Sequence, residues 1–179
     1  MQTQGVSLWI AQIAVEPVLQ LIVGQAVTQQ ANDKKQLLPM IEAVKQQSGQ
    51  KVRAALADSG YCSEKNLTAL ESAEDPSRRV EGYIATERQK HDEYKEVCPR
   101  GPLPKDATRV DRMRRRLKTK AGRAVYAARK TIVEPVFGQI KQARGFRQFL
   151  LRGIDKVRAE WSLVCLTHNV LKLHRLCYQ

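Results

Sequence analysis

Two apolar runs open the chain, LWIAQIAVE at residues 8–16 and LQLIVGQAVT at 19–28, both rich in β-branched residues and parted by Pro17 and Val18. That pattern predicts a β-hairpin. Leu37, Leu38, Met40, Ile41 and Val44 then recur at helical spacing, so a helix is expected from a cap at Asn32 or Asp33 to about Gln47. Ser48 and Gly49 end it, and Pro39 is the residue that fits it poorly. KVRAALAD, residues 51–58, predicts a strand that presents Asp58 at its C-terminal end, ahead of the turn residues Ser59 and Gly60. Ser63 is placed to cap a helix reaching about Ala73, and 79–86 predicts a further strand. The order β-β-α-β-α-β predicts a mixed α/β domain whose central sheet is built from 8–16, 19–28, 51–58 and 79–86.

From Glu87 to Arg123 the apolar pattern lapses, and Pro99, Gly101, Pro102 and Pro104 punctuate a long insertion whose second half is helical and intensely basic. Arg109, Arg112, Arg114, Arg115, Arg116, Lys118, Lys120 and Arg123 face only Asp111 there, which fits either a solvated run or a binding surface. Helical periodicity returns with Ile132, Val133, Val136, Phe137 and Ile140. Pro135 means that this helix either kinks or begins beside Glu134, and in the second case Glu134 would be its N-cap. A last helix, from Asp155 to about Leu176, carries Val157, Trp161, Val164, Cys165 and Leu171 on a broad apolar side. It is expected to pack on the sheet, with His168 and Asn169 as satisfied polar groups at the interface.

A chain of 179 residues fits one domain, taken as 1–179 with the basic insertion at about 87–123. Its net charge of +13 points to a polyanionic partner, with nucleic acid the first candidate and an anionic membrane surface the rival. No apolar run is long enough to span a bilayer and no signal peptide is readable, so a cytoplasmic protein is expected. Cys62, Cys98, Cys165 and Cys177 form no C-x-x-C pair and have no histidine at zinc-finger spacing; they are expected to be plain thiols, with Cys165 packing as a small hydrophobe.

The chemistry concentrates in YAARKTIVEPVFGQIKQARGFRQFLLRG, residues 126–153, where one acid, Glu134, stands among Arg129, Lys130, Lys141, Arg144, Arg147 and Arg152. On a regular helix Tyr126, Lys130, Glu134 and Lys141 would share one stripe. The arrangement of Tyr126, Arg129, Glu134 and Lys141 resembles the Y-x2-R-x3-E-x6-K signature of DDE-type transposases of bacterial insertion sequences. The Glu-to-Lys spacing matches; Arg129 lies one residue too far from Glu134, and Lys130 holds the expected basic position. LADSGYCSEKNL around Asp58 is similar to the family's block for the second catalytic aspartate, and VRAEWSLVCLTHNVLKL to its C-terminal helix.

The resemblance implies a ribonuclease H-like mixed sheet flanked by helices, and carboxylates that bind two Mg²⁺ (or Mn²⁺) ions. Clustered carboxylates are the hard oxygen ligands such ions require. It implies Asp58 and Glu134 as catalytic and metal-binding residues and, counting back, Glu16 at the strand end where relatives carry aspartate. Asp33 is the weaker substitute, because it lies beyond the second strand. Tyr126, Arg129, Lys130, Lys141, Arg144 and Arg147, with Arg114, Arg115 and Arg116 of the insertion, are the expected DNA-binding residues, and double-stranded DNA of transposon ends and target is the expected partner. A homo-oligomer is left open. Relatives also carry an N-terminal helical region for which this chain has no room, so the resemblance is to the C-terminal part of a transposase performing cut-and-paste transposition. The alternative is a non-catalytic basic DNA-binding remnant or inhibitor of the full-length enzyme; a metal-dependent nuclease is a third reading.

Overall fold

The computed structural model describes residues 9–30, 32–71, 79–87 and 98–178. Its elements are β1 (Ile10–Val15), β2 (Ile22–Thr28), a 3₁₀ turn (Asp33–Lys35), α1 (Leu37–Ser48), β3 (Ala54–Ala57), a second 3₁₀ turn (Ser59–Tyr61), α2 (Glu64–Glu71), β4 (Glu81–Ile84), α3 (Arg109–Lys118), α4 (Lys120–Gly138), a π turn (Gln139–Ala143) and α5 (Ile154–Cys177). The expected run of α2 to Ala73, and residues 88–97 of the insertion, lie outside the described residues. The chain divides into two compact units: Met1–Ala31 with Ile132–Gln179, and Asn32–Thr131.

The first unit is the predicted hairpin with helices against it. β1 and β2 pair antiparallel from Ile10 opposite Thr28 to Val15 opposite Ile22, with an irregularity at Ala14 and Val15. The connection is closed by the Glu16 carboxylate, which accepts backbone N–H groups from Val18 (2.9 Å), Leu19 and Leu21 (3.2 Å). Gln20 there takes a left-handed φ of 58°. α5 lies on β2, and Ile22, Val27, Val136, Ile140, Val157, Trp161 and Cys165 form the core. Trp161, 2% exposed, meets Phe149 edge-on and donates its indole N–H to the Gln12 carbonyl (3.2 Å). The Asn169 side chain takes both backbone groups of Ile22, accepting its N–H (2.8 Å) and donating to its carbonyl (2.9 Å).

The second unit is built on a parallel pair, β3 beside β4, running from Ala54 opposite Glu81 to Ala57 opposite Ile84. Parallel neighbours require a crossover, which contains α2. Leu37, Ile41, Leu67, Leu70, Ile84, Met113 and Leu117 make up most of its core. Asn32 caps the first 3₁₀ turn, not α1, so α1 starts at Leu37. Pro39 thereby falls in the first turn, where a missing N–H breaks no helical bond. α3 opens on a capping box of Thr108 and Asp111, and the Glu64 carboxylate adds acceptors for the N–H groups of Val110 (3.0 Å) and Arg109 (3.2 Å). These bonds hold Glu64 and Asp111 below the usual carboxylate range. The turn from α3 into α4 is so tight that a Cβ on Gly122 would sit 2.0 Å from the Arg116 carbonyl oxygen.

The expected single four-stranded sheet is replaced, among the described residues, by two separate two-stranded sheets. In the hairpin, a side-chain amide from α5 takes up the backbone of β2 at Ile22, where a further strand would have to pair. The architecture remains mixed α/β. No helix among the described residues is long and apolar enough to cross a membrane.

Candidate active site

Asp58 lies immediately after β3, the strand-end position expected from sequence. Its Oδ1 accepts the Gly60 N–H (3.0 Å), which winds the chain into the second 3₁₀ turn. A second acid reaches the same turn. From the position a Cβ on Gly60 would occupy, Asp58 Oδ1 is 3.1 Å away and Asp33 Oδ2 is 3.3 Å away. Asp33 thus lies near Asp58, and any side chain at residue 60 would crowd both carboxylates. Tyr61 registers both charges: burial first, then Asp33 and Asp58, push its hydroxyl well above the ordinary tyrosine range, so it stays protonated.

The clamp that joins the two turns is Asn66. This buried residue of α2 donates from one amide nitrogen to the carbonyls of Lys34 (2.7 Å) and Tyr61 (2.8 Å), while its own N–H is capped by Ser63 Oγ (3.1 Å). Asp33 was the weaker substitute in the sequence reading because it lies beyond the second strand. The overlooked signal is a lone amide, Asn66, beside Leu67 on the apolar side of α2. A short polar side chain buried there needs backbone partners from elsewhere.

Glu134 is exposed in the interior of α4. The helix passes through Pro135, so the sequence alternative in which Glu134 caps a new helix is not realised. The ladder instead changes at Gln139–Ala143, where it widens to a π turn. Lys141 belongs to that turn, so the regular α-helical stripe drawn from Tyr126 does not extend to it; its ammonium lies over the Phe137 ring, 5.2 Å from the centroid. Tyr126 is buried in the second unit, with the Arg129 guanidinium 5.7 Å from its ring centre, while Lys130 is exposed. Glu16 is half-buried, and both of its carboxylate oxygens serve the hairpin turn.

Several expected DNA-binding cations hold protein partners. Arg144 donates to the carbonyls of Val164 (3.3 Å) and Thr167 (3.1 Å) and to Thr167 Oγ1 (2.9 Å), strapping the π turn to α5. Arg114 pairs with Asp111 (2.7 Å) and Glu87 (2.6 Å), Arg115 donates to the Gly101 carbonyl, and Arg116 donates to the Gly82 carbonyl (3.2 Å) beside the Tyr83 ring. Arg147 bonds Gln142 Oε1 (2.6 Å). Arg112, Lys120, Arg123, Lys141 and Arg152 are exposed.

The polar groups of α5 pack largely as expected. His168, fully buried, shares a 3.0 Å hydrogen bond between Nε2 and the Gln20 carbonyl, while Nδ1 has no partner. Burial lowers its pKa, opposed by the Gln20 bond. All four cysteines are free thiols, and burial pushes Cys165 up to about 12.

Within either unit, no group of three or more His, Cys, Asp or Glu side chains among the described residues is arranged to hold a metal ion. Asp33 and Asp58 are the pair whose chemistry suits one: two carboxylates with hard oxygens beside the same turn.

Residues 103–174 match the family described as "Transposase DDE domain". The match covers α3, α4, the π turn and α5 as far as His174, and therefore Tyr126, Arg129, Glu134 and Lys141. It supports assignment to the DDE transposases. No curated protein and no solved structure matches the chain.

Proposed function

We propose that this chain is the catalytic part of a DDE-type DNA transposase of the insertion-sequence kind, with a ribonuclease H-like fold. In this reading it cleaves and joins DNA strands in a metal-dependent, cut-and-paste reaction. The observation that carries the proposal is the family match around Glu134, a solvent-facing carboxylate on a helix rich in cations. Asp58 and Glu134 are the proposed catalytic carboxylates. Glu16 is the counterpart by chain order for the third, and Asp33 is the candidate supported by its nearness to Asp58. A bound Mg²⁺ or Mn²⁺ would supply Lewis-acid stabilisation of a phosphoryl oxygen and a more acidic attacking hydroxyl. Asp58 and Asp33 would contribute oxygens to it, and the protonated Tyr61 hydroxyl would remain a neutral donor near both. Exposed cations would hold the phosphates of duplex DNA, which fix position without reading sequence.

The test is nicking and strand joining of duplex DNA in Mg²⁺. Asp58→Ala and Glu134→Ala should each lower the rate on the order of a hundredfold or more, with DNA affinity kept. Parallel Asp33→Ala and Glu16→Ala variants identify the third carboxylate by which of them loses cleavage. Wild-type protein that binds DNA but leaves it uncut in Mg²⁺ and Mn²⁺ would instead favour the second reading, a non-catalytic DNA-binding remnant or inhibitor. One observation speaks for that reading: the Glu16 carboxylate is engaged by three N–H groups of its own turn.

A further inference from the structure

The loop between the π turn and α5, residues 144–153, turns its aromatic side chains inward and its leucines outward. Phe146 and Phe149 meet edge to face with ring centroids 5.5 Å apart, and each ring lies 6.1 Å from that of Trp161. Leu150 and Leu151 are instead 75% and 46% accessible. Backbone bonds fix the loop in that pose: the Glu160 carboxylate on α5 accepts the N–H groups of Leu150 (2.9 Å) and Leu151 (3.1 Å), and the Phe146 N–H donates to the Ile140 carbonyl (3.1 Å). Gly145 and Gly153 turn the chain at the two ends of the loop with left-handed φ values of 69° and 88°. A single exposed leucine is ordinary on a protein surface, but two neighbours held out on a braced loop form an apolar tip.

We propose that this tip is a wedge for duplex DNA: Leu150 and Leu151 enter at a base step and unstack it, while Arg147 and Arg152 hold the phosphates beside it. The inference rests on the transposase reading for its ligand and assigns, within that reading, the residues that deform the duplex. Charge selects the occupant. Arg147 and Arg152 are exposed on either side of the leucines in sequence, and exposed Lys156 follows in the first turn of α5. The Gln142 side chain that Arg147 bonds is neutral and leaves the guanidinium charge in place, and Asp155, the one acid in 144–156, stands 3.7 Å from Arg158. An apolar point between cations matches a base step, where apolar base faces lie between two rows of phosphate. A bilayer is the poorer match: the two leucines carry about eight apolar side-chain carbons, fewer than a myristoyl chain, whose membrane binding is by itself marginal. Inserting the tip costs the stacking of one step, offset by the phosphate contacts that a kinked duplex offers. Pyrimidine–purine steps unstack most easily, so TA steps are the preferred sites.

The test is permanganate reactivity of thymines in a duplex carrying isolated TA steps, bound to the full chain in EDTA so that no cleavage intervenes. The wild type should raise reactivity at the TA steps. Changing Leu150 and Leu151 together to Ala should abolish the rise, and changing both to Met should restore it, since methionine also serves as a wedge. The alanine variant removes neither a core side chain nor a cation, so its melting temperature and the salt slope of its DNA affinity should match the wild type. Arg147→Ala combined with Arg152→Ala should instead make that slope shallower by about 2. Bound DNA whose thymines stay unreactive, or reactivity that the alanine variant retains, overturns the wedge and leaves the transposase reading in place. A wild type that opens TA steps yet leaves DNA uncut in Mg²⁺ and Mn²⁺ supports the wedge and turns the reading of the chain to the non-catalytic remnant. Binding to phosphatidylserine vesicles that the alanine variant loses, with no thymine made reactive, assigns the tip to a membrane and overturns the proposal.

Discussion

Asn66 is buried, and its amide is what links the turn carrying Asp33 to the turn following Asp58. Replacing it with Ala removes the donors for two carbonyls and should cost about 1–3 kcal/mol, read as a lower melting temperature. In the proposed enzyme it should also reduce cleavage in proportion to the loss seen in Asp33→Ala. His168 carries a second residue-scale consequence. Its folded-state pKa lies below the ordinary 6.5, so the first unit is built around the neutral imidazole. The stability it contributes is complete above the unfolded value and is lost as pH falls through the folded one. Melting followed from pH 8 to pH 5 should therefore decline below about 6.5, and His168→Gln should flatten that decline. Asp58 was legible because strand and turn residues adjoin it in sequence. Asp33 was not, because its approach depends on an amide contact made 32 residues along the chain.

At the scale of elements, period and punctuation placed every strand and the helices α1, α2 and α5 close to where they form. Prolines were harder. Pro39 fits because a 3₁₀ turn delays α1, and Pro135 is carried within a helix whose ladder then widens to a π turn. Neither adjustment leaves a mark in hydrophobic periodicity. Strand pairing was misjudged because the period of a strand marks where it runs but not which strand lies beside it, and β1–β2 and β3–β4 form separate sheets among the described residues. Glu16 shows the same ambiguity between a strand-end ligand and a turn acceptor. Removing it in Glu16→Ala leaves Val18, Leu19 and Leu21 without their acceptor and should lower thermal stability by about 1–3 kcal/mol. A variant that melts like the wild type yet loses cleavage would assign Glu16 to chemistry and not to the hairpin.

For the whole molecule, charge is the feature most directly readable from sequence: 31 lysines and arginines against 18 acids. Which of those cations are available to DNA was not readable, since it depends on partners supplied by folding. Arg114, Arg115 and Arg116 bond to acids and carbonyls of their own unit, so replacing all three with Ala should lower its melting temperature and would confound a binding assay. Arg112 and Lys120, exposed on α3 and at the start of α4, offer a cleaner measurement. Each phosphate neutralised contributes about −0.9 to the slope of log affinity against log salt, so a footprint of about six contacts gives a slope near −5. Changing Arg112 and Lys120 together to Ala should make that slope shallower by about 2, with the decrease in affinity shared by unrelated duplex sequences. Glu134→Ala should leave affinity unchanged or slightly higher, since it removes an exposed negative charge from a helix rich in cations. A salt slope that this double change does not alter would exclude Arg112 and Lys120 from the DNA contact and move the search to the exposed Lys141 and Arg152.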